Sequence, residues 1–442
     1  MMKSKDKNKA QLARVRPKLG WSLGNGLVLL TAVLCCLGYT STALGSGFAL
    51  MQQGTAAMAQ GNAFVADASD PTAIFYNPAG ISQLNRPEVH FTGVFMHPDR
   101  DFSSNLGGSS QTNHRIYKSM GLYIAGPVNN WLSLGLGFFN PFGLGSVWPP
   151  EWEGRYITTY TSLKTYNLNP VISVKPLPNL SFAAGFNALW SAVDLKKKAL
   201  NPFNPPSDAE SYLNGTGMGV GYNLGVLYEP VTGVRLGAAY RSEVSVLHRG
   251  EMTTQLRLPS GALAPIPPNP ARANVTFPPH VTFGINYSRL RPWSFEFDAT
   301  WMGWSTYDQL RVNLSNPISP GVTSITIPKN WNDSWAFRFG TNYEVWSGFK
   351  LRAGYIFDMT PVPSSTLDPQ LPDSNRHVFS VGADYRWNRF TFGFAYTYIL
   401  LEPRTKSSAV MVNNVPLPLT QQANGRYSSD LHSLAFSTGF RF

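Results

Sequence analysis

The sequence predicts an all-β membrane protein: a fourteen-stranded antiparallel transmembrane β-barrel with a small N-terminal helical hatch plugging it. Three observations carry this. A secretory signal opens the chain, period-two alternation recurs from residue 87 to the C-terminus, and short and long connections take turns between the alternating segments. Three parts are expected: a signal peptide at 1–45, the hatch at 46–86 and the barrel at 87–442.

The signal comes first. Lys3, Lys5, Lys7, Lys9, Arg14, Arg16 and Lys18 form a basic head, Leu27 to Leu37 an apolar core, and Ser41-Thr42-Ala43-Leu44-Gly45 a small-residue exit, with cleavage after Ala43 or Gly45. Seven basic residues and one acid leave with it, so the formal charge of +11 falls to +5, which makes no case for nucleic acid. Both cysteines, Cys35 and Cys36, leave too, so neither disulfides nor thiol chemistry is expected. Leu34 before Cys35 argues against a lipid-anchored cysteine. The remaining chain has no uninterrupted apolar run of about 18 residues, so a spanning helix is excluded.

The strands come next. In Phe390-Thr391-Phe392-Gly393-Phe394-Ala395-Tyr396-Thr397-Tyr398 every second residue is aromatic. In 349–357, Phe349, Leu351, Ala353, Tyr355 and Phe357 share one face, and Lys350, Arg352 and Gly354 the other. In 293–301, Trp293, Phe295, Phe297, Ala299 and Trp301 alternate with Ser294, Glu296, Asp298 and Thr300. Strands are expected near 87–98, 115–126, 131–139, 160–175, 179–196, 214–228, 232–249, 274–288, 293–311, 333–345, 349–359, 376–388, 390–402 and 429–442. The alternating loop lengths suit periplasmic turns and extracellular loops, and a Greek-key sandwich would not sustain them. In hydrocarbon every backbone N–H and C=O needs an internal partner, so such a sheet must close. Trp131, Trp293, Trp346, Trp387, Tyr228 and Tyr287 near the short turns fit an interfacial girdle. Phe442, ending an alternating strand, resembles the signal read by the outer-membrane barrel-assembly machinery.

Residues 46–86 read differently. Small residues predominate, and Pro71 and Pro78 limit helix length, so short helices in a compact insert are expected. Here a resemblance becomes specific. Ser46-Gly47-Phe48-Ala49-Leu50, Asp67-Ala68-Ser69 and Ile74-Phe75-Tyr76-Asn77-Pro78-Ala79-Gly80 resemble the hatch of the FadL-type long-chain fatty-acid and hydrocarbon transporters. Asn140-Pro141-Phe142-Gly143, Tyr166-Asn167-Leu168-Asn169-Pro170, Tyr240-Arg241-Ser242-Glu243-Val244 and Leu371-Pro372-Asp373-Ser374-Asn375-Arg376 match in the same order.

The resemblance implies a fourteen-stranded barrel in a Gram-negative outer membrane, in contact with lipopolysaccharide, with no cofactor and no catalysis. It implies passive uptake of hydrophobic compounds, long-chain fatty acids foremost, from a groove between extracellular loops to an internal pocket and out through a lateral opening. It places the hatch contact on Asn77, Pro78 and Ala79 and an inward kink on the third strand, among Gly135, Gly137 and Asn140. Glycine and proline weaken a ladder, which suits a kink; plain packing of Gly135 and Gly137 against the hatch is the other reading. Phe142, Leu144, Trp148 and Trp152, with Phe203 in the next long loop, are the candidate ligand groove, or else a cover for the barrel mouth. Gly215, Gly217, Gly219 and Gly221 clear one face of the sixth strand for the hatch or a ligand.

A bound carboxylate needs a cation. The resemblance places one on the fifth strand within 187–194, but none stands before Lys196. Arg155, Lys196 and Arg241, or else Arg352, are the candidate carboxylate partners, and an alkane or monoaromatic hydrocarbon is the alternative cargo. A general porin, or an adhesin or phage receptor, is the alternative of another class. His248, His280, His377 and His432 are scattered and form neither a catalytic motif nor a metal-ligand spacing.

Overall fold

The computed structural model of the protein describes residues 47–202, 204–205 and 207–442. The predicted signal segment and Phe203 lie outside the described residues. Fourteen antiparallel strands form one closed sheet. β1 is Glu88–Ser104, β2 Tyr117–Pro127, and β3 Leu132–Phe139, resuming as Gly143–Val147. β4 (Tyr160–Leu177), β5 (Leu180–Leu200) and β6 (Asp208–Val231) are long. β7 comes in two pieces, Val234–Arg241 and Val244–Gln255, and so does β8, Asn269–Phe277 and His280–Tyr287. β9 is Trp293–Met302 and β10 Ser334–Trp346. β11 (Phe349–Asp358), β12 (Arg376–Trp387), β13 (Phe390–Lys406) and β14 (Gly425–Arg441) complete the wall. β14 pairs with β1 along its whole length, Glu88 opposite Arg441 and Ser104 opposite Gly425, so the sheet closes on itself.

The sequence explains the wall. Alternation sends Phe283, Phe295, Phe297, Phe339, Phe379, Phe392, Phe394 and Phe436 outward, where they stay exposed. An apolar outer surface of this extent does not belong in water. Cross-strand aromatic pairs add to it: Phe297 with Phe339 at 4.9 Å and Phe394 with Phe436 at 5.4 Å between ring centroids. The six expected girdle aromatics are exposed at the short-turn end. There, Gly233 (φ +82°) and Gly348 (φ +90°) supply the left-handed conformation that two-residue hairpin turns demand.

The wall departs from expectation: β1, β6 and β7 extend further toward the long loops, and the seventh, eighth and ninth strands are interrupted. The seventh strand breaks at Ser242-Glu243. The eighth begins earlier, at Asn269, and breaks at Pro278-Pro279, where proline offers no ladder N–H. The ninth breaks after Met302, where the chain turns inward to bury Trp304, and resumes at Gln309–Leu314 against the first piece of β8.

Residues 48–84 are nearly all buried within the barrel. Only α1 (Thr55–Ala59), α2 (Ala73–Tyr76) and a 3₁₀ turn, Pro78–Gln83, are regular, as the prolines foretell. A band of wall glycines lets this plug lie against bare backbone. At Gly225, Gly237, Gly284, Gly340, Gly354, Gly382 and Gly393, an added Cβ would press into plug or neighbouring atoms closer than real Cβ atoms come. β9 interrupts the band with two carboxylates that bind the plug. Asp298 Oδ2 accepts the N–H groups of Phe64 (2.8 Å) and Val65 (3.1 Å). Glu296 accepts those of Ala66 (2.8 Å) and Asp67 (2.9 Å). Four consecutive buried donors are thus satisfied by the wall.

Candidate functional site

The third strand is where the wall parts. The β2–β3 ladder ends at Leu122 opposite Phe138. On its other edge β3 stays with β4, through Phe139–Asn167 and again from Gly143–Lys164 onward. Among the described residues, Tyr117–Gly121 of β2 therefore have no ladder partner on the β3 side. Asn140 spans the break. Its Nδ2 donates to Thr165 O (2.6 Å), and its Oδ1 accepts from Met120 N (3.1 Å) and Ser119 Oγ (3.2 Å). From inside, Gln53 Nε2 donates to Asn140 O (2.7 Å). The plug's first residues take the place of β2 here: Leu50 N donates to Pro141 O (2.8 Å) and Gly143 N to Phe48 O (2.9 Å). Replacing Asn140 with alanine strips partners from Met120 N–H and Thr165 C=O. The expected result is a loss of about 1–3 kcal/mol of barrel stability, read as a lower temperature of heat-modified gel migration.

Above the break an aromatic box surrounds Phe48. Trp304 lies 4.6 Å away between centroids, Tyr307 5.5 Å, Trp331 5.6 Å, Phe277 6.0 Å and Phe142 6.1 Å. Beside it opens a cavity of about 320 Å³, its mouth included, lined by Phe48, Leu144, Tyr307, Trp331, Val362 and Leu371 with Lys329, Asp368 and Gln370. Lys329 Nζ meets Asp368 Oδ2 at 2.5 Å and Gln370 Oε1 at 3.1 Å. Burial disfavours the charged ammonium, but the adjacent Asp368 carboxylate outweighs this and holds its pKa above the usual lysine range. Lys329 is thus a cation at neutral pH. A second cavity is almost wholly apolar, walled by Val193, Leu213, His248, Val275, Leu310 and Val312.

Arg241 ends the first piece of β7 and is buried inside the barrel. Its guanidinium lies over the rings of Phe75 (5.3 Å) and Phe139 (5.5 Å). It donates to Asn187 Oδ1, to Asn169 Oδ1 (3.3 Å) and to Phe75 O (3.4 Å). Its hydrogen-bond partners are neutral oxygens, and Nε has none. A buried cation held this way has capacity for an anion.

The structure distributes the predicted residues unevenly. Asn77 donates to Val65 O (2.7 Å) and to Val226 O of β6 (2.9 Å), and Pro78 and Ala79 are buried beside it. Gly135 and Gly137 lie in the unbroken ladder and face Ile74, which fits packing against the plug; the interruption falls at Asn140. Phe142 joins the aromatic box and Leu144 the cavity wall. Trp148 and Trp152 do not join them. They stack at 4.2 Å in a sealed cluster with Phe102 and Tyr427, and Trp148 Nε1 donates to Pro369 O (3.1 Å). Arg155 pairs with Asp208 (2.9 Å) at the long-loop end, and Lys196 is exposed beside Tyr160 and Tyr212. Of the candidate carboxylate partners, Arg241 and Arg352 are buried inside the barrel, and Arg352 is already paired with Asp384 and Asp67. Sequence reasoning missed Phe48 as a box centre, Lys329 with Trp304 and Trp331, and the Glu296–Asp298 latch. The inward alternation of Glu296 and Asp298 was the signal for the latch.

A closed barrel with an apolar exterior, an internal plug and a parted strand defines an outer-membrane transport barrel. A family model described as outer membrane protein transport protein (OMPP1/FadL/TodX) matches residues 36–442, and the chain belongs to that family. A long-chain fatty acid transport protein of Salmonella typhi is 25% identical over 357 residues, covering 73% of this chain and 80% of that protein. Among solved structures, a Pseudomonas aeruginosa FadL homologue superposes with a TM-score of 0.76 at 20% identity, covering 90% of this chain and 100% of that one. The Pseudomonas putida toluene transporter TodX gives 0.67 at 17% identity, covering 84% and 94%.

Proposed function

We propose that this chain carries hydrophobic compounds, long-chain fatty acids foremost, across the outer membrane by passive diffusion. The observation that carries the fatty-acid reading is a charged Lys329, paired with Asp368, in the wall of a cavity that joins apolar side chains to a polar end formed with Thr366 and Gln370. Such a site suits a long apolar body with one acidic end. After loss of residues 1–45, residues 46–86 act as the hatch and 87–442 as the barrel. A ligand entering beside Phe48 disturbs the segment 48–50, which is hydrogen-bonded to the break in β3. The contacts of Asn77, Pro78 and Ala79 anchor the rest of the hatch while the gap between β2 and β3 widens sideways into the membrane. Arg241, next to Phe139, receives the carboxylate on its way. Lipopolysaccharide surrounds the wall, and the barrel-assembly machinery reads the strand ending at Phe442. The apolar second cavity favours a second reading, in which the cargo is an alkane or monoaromatic hydrocarbon.

The test compares binding of a labelled long-chain fatty acid and an alkane of equal length to the purified barrel. Lys329→Met combined with Asp368→Asn removes the cation without stranding its partner. Fatty-acid affinity is expected to fall about tenfold or more, equivalent to roughly 1.4 kcal/mol, with alkane binding retained. Equal affinities for the acid before and after would overturn the fatty-acid reading.

A further inference from the structure

On the outside of the wall, His97 and Asp99 project from β1, and His114 from the connection leading into β2. His114 Nδ1 lies 2.9 Å from Asp99 Oδ1 and His97 Nδ1 3.6 Å from Asp99 Oδ2. One ligand atom from each residue falls within 4.8 Å of the others. The two imidazoles stack with 2° between their planes and 5.5 Å between centroids, so both present Nδ1 to the same carboxylate. Asp99 Oδ1 is enclosed, with His114 Nδ1 as its near neighbour. Ligand atoms in a tetrahedral zinc site, with bonds of about 2.0–2.1 Å, stand roughly 3.3–3.4 Å apart; the two His–Asp separations, 2.9 and 3.6 Å, bracket this, while the third pair lies within 4.8 Å, so binding an ion tilts the stacked imidazoles toward it. On the adjoining strand Asp430 lies opposite Asp99 and His432 opposite His97.

We propose that His97, Asp99 and His114 form a binding site for a borderline divalent transition metal such as zinc, with water or Asp430 completing the coordination. Two imidazole nitrogens select against calcium and magnesium, which prefer all-oxygen shells. The residues belong to neighbouring segments, so an ion joins them. The clip falls just before Tyr117–Gly121, the stretch of β2 that lacks a β3 partner, and reinforces the end of its ladder with β1, where Met96 lies opposite Tyr117. The metal therefore steadies one lip of the parted wall. Sequence spacing conceals the site: His97 and Asp99 share a strand face at i, i+2, and His114 arrives only through the chain reversal.

The test titrates zinc into the mature barrel, purified in detergent without a histidine tag, by calorimetry, and records the visible spectrum of the cobalt form. One saturable site and a four-coordinate cobalt spectrum are expected. His97→Ala, His114→Ala and the shape-preserving Asp99→Asn should each abolish the spectrum and the saturable binding, while His377→Ala leaves both intact. Folding of every variant is verified by heat-modified gel migration. Absence of saturable zinc binding in the parent, or its survival in the His97→Ala/His114→Ala double variant, would overturn the proposal.

Discussion

Replacing Glu296 and Asp298 together with alanine is expected to release the plug while the barrel still assembles. The two carboxylates accept from four consecutive N–H groups, Phe64 to Asp67, over distances of 2.8–3.1 Å. Hydrogen bonds contribute about 0.5–1.5 kcal/mol each, and a buried donor left unpaired costs about 1–3 kcal/mol. The contributions are not additive, yet even half of them approaches the whole stability of a small domain. The wall ladders are untouched, since both side chains point inward. Amide exchange at residues 60–68 should accelerate by orders of magnitude, and liposomes holding the variant should swell in small sugars. Parental protection of those amides would refute the latch. Asp298→Asn, which keeps an acceptor, should fall between the two.

Gly354→Val should have the second largest effect. The added Cβ would sit on the main-chain carbon of Gln60 and the main-chain nitrogen of Gly61, neither of which is the yielding end of a flexible side chain. Its cross-strand partner is Gly340, itself against Gln60, so the wall offers no room to share the strain. Overpacking of a core typically costs about 1–3 kcal/mol, and backbone-on-backbone contact belongs at or beyond the upper end. The plug should be displaced, again seen as sugar permeability and lost protection around Gln60. Gly215→Ala serves as the comparison: its nearest neighbour would be His248 Cβ at 3.4 Å, an ordinary contact. Equal permeability of the two variants would remove the steric account.

The wall was legible because one physical rule writes it. Lipid on one side and a crowded bore on the other impose a two-residue period, and Phe390–Tyr398 obeys it without exception. The breaks were less legible. Pro278-Pro279 could have been read from the missing N–H, but Ser242-Glu243 resembles ordinary strand sequence, and at the break the Ser242 hydroxyl accepts the Tyr222 N–H (2.9 Å). The site was harder still. Asn77 and Asn140 stand in local motifs, so they could be singled out. Lys329 and Asp368 are separated by 39 residues and meet only when two long connections fold over the bore. Trp148 and Trp152 misled because an aromatic loop reads the same whether it waits for a ligand or seals itself.

The plug's contacts radiate in many directions. Gln53 reaches β3 at Asn140, Asn77 reaches β6, Phe64 and Val65 reach β9, Gln60 reaches Arg352 on β11 (2.5 Å), and Thr55 reaches Ser437 on β14 (2.5 Å). Mechanically this is a wheel hub with spokes. A hollow tube of fourteen strands squeezed by the surrounding bilayer can flatten into an ellipse. Bracing across several diameters resists that deformation, so the segment 48–84 that fills the bore also keeps it round.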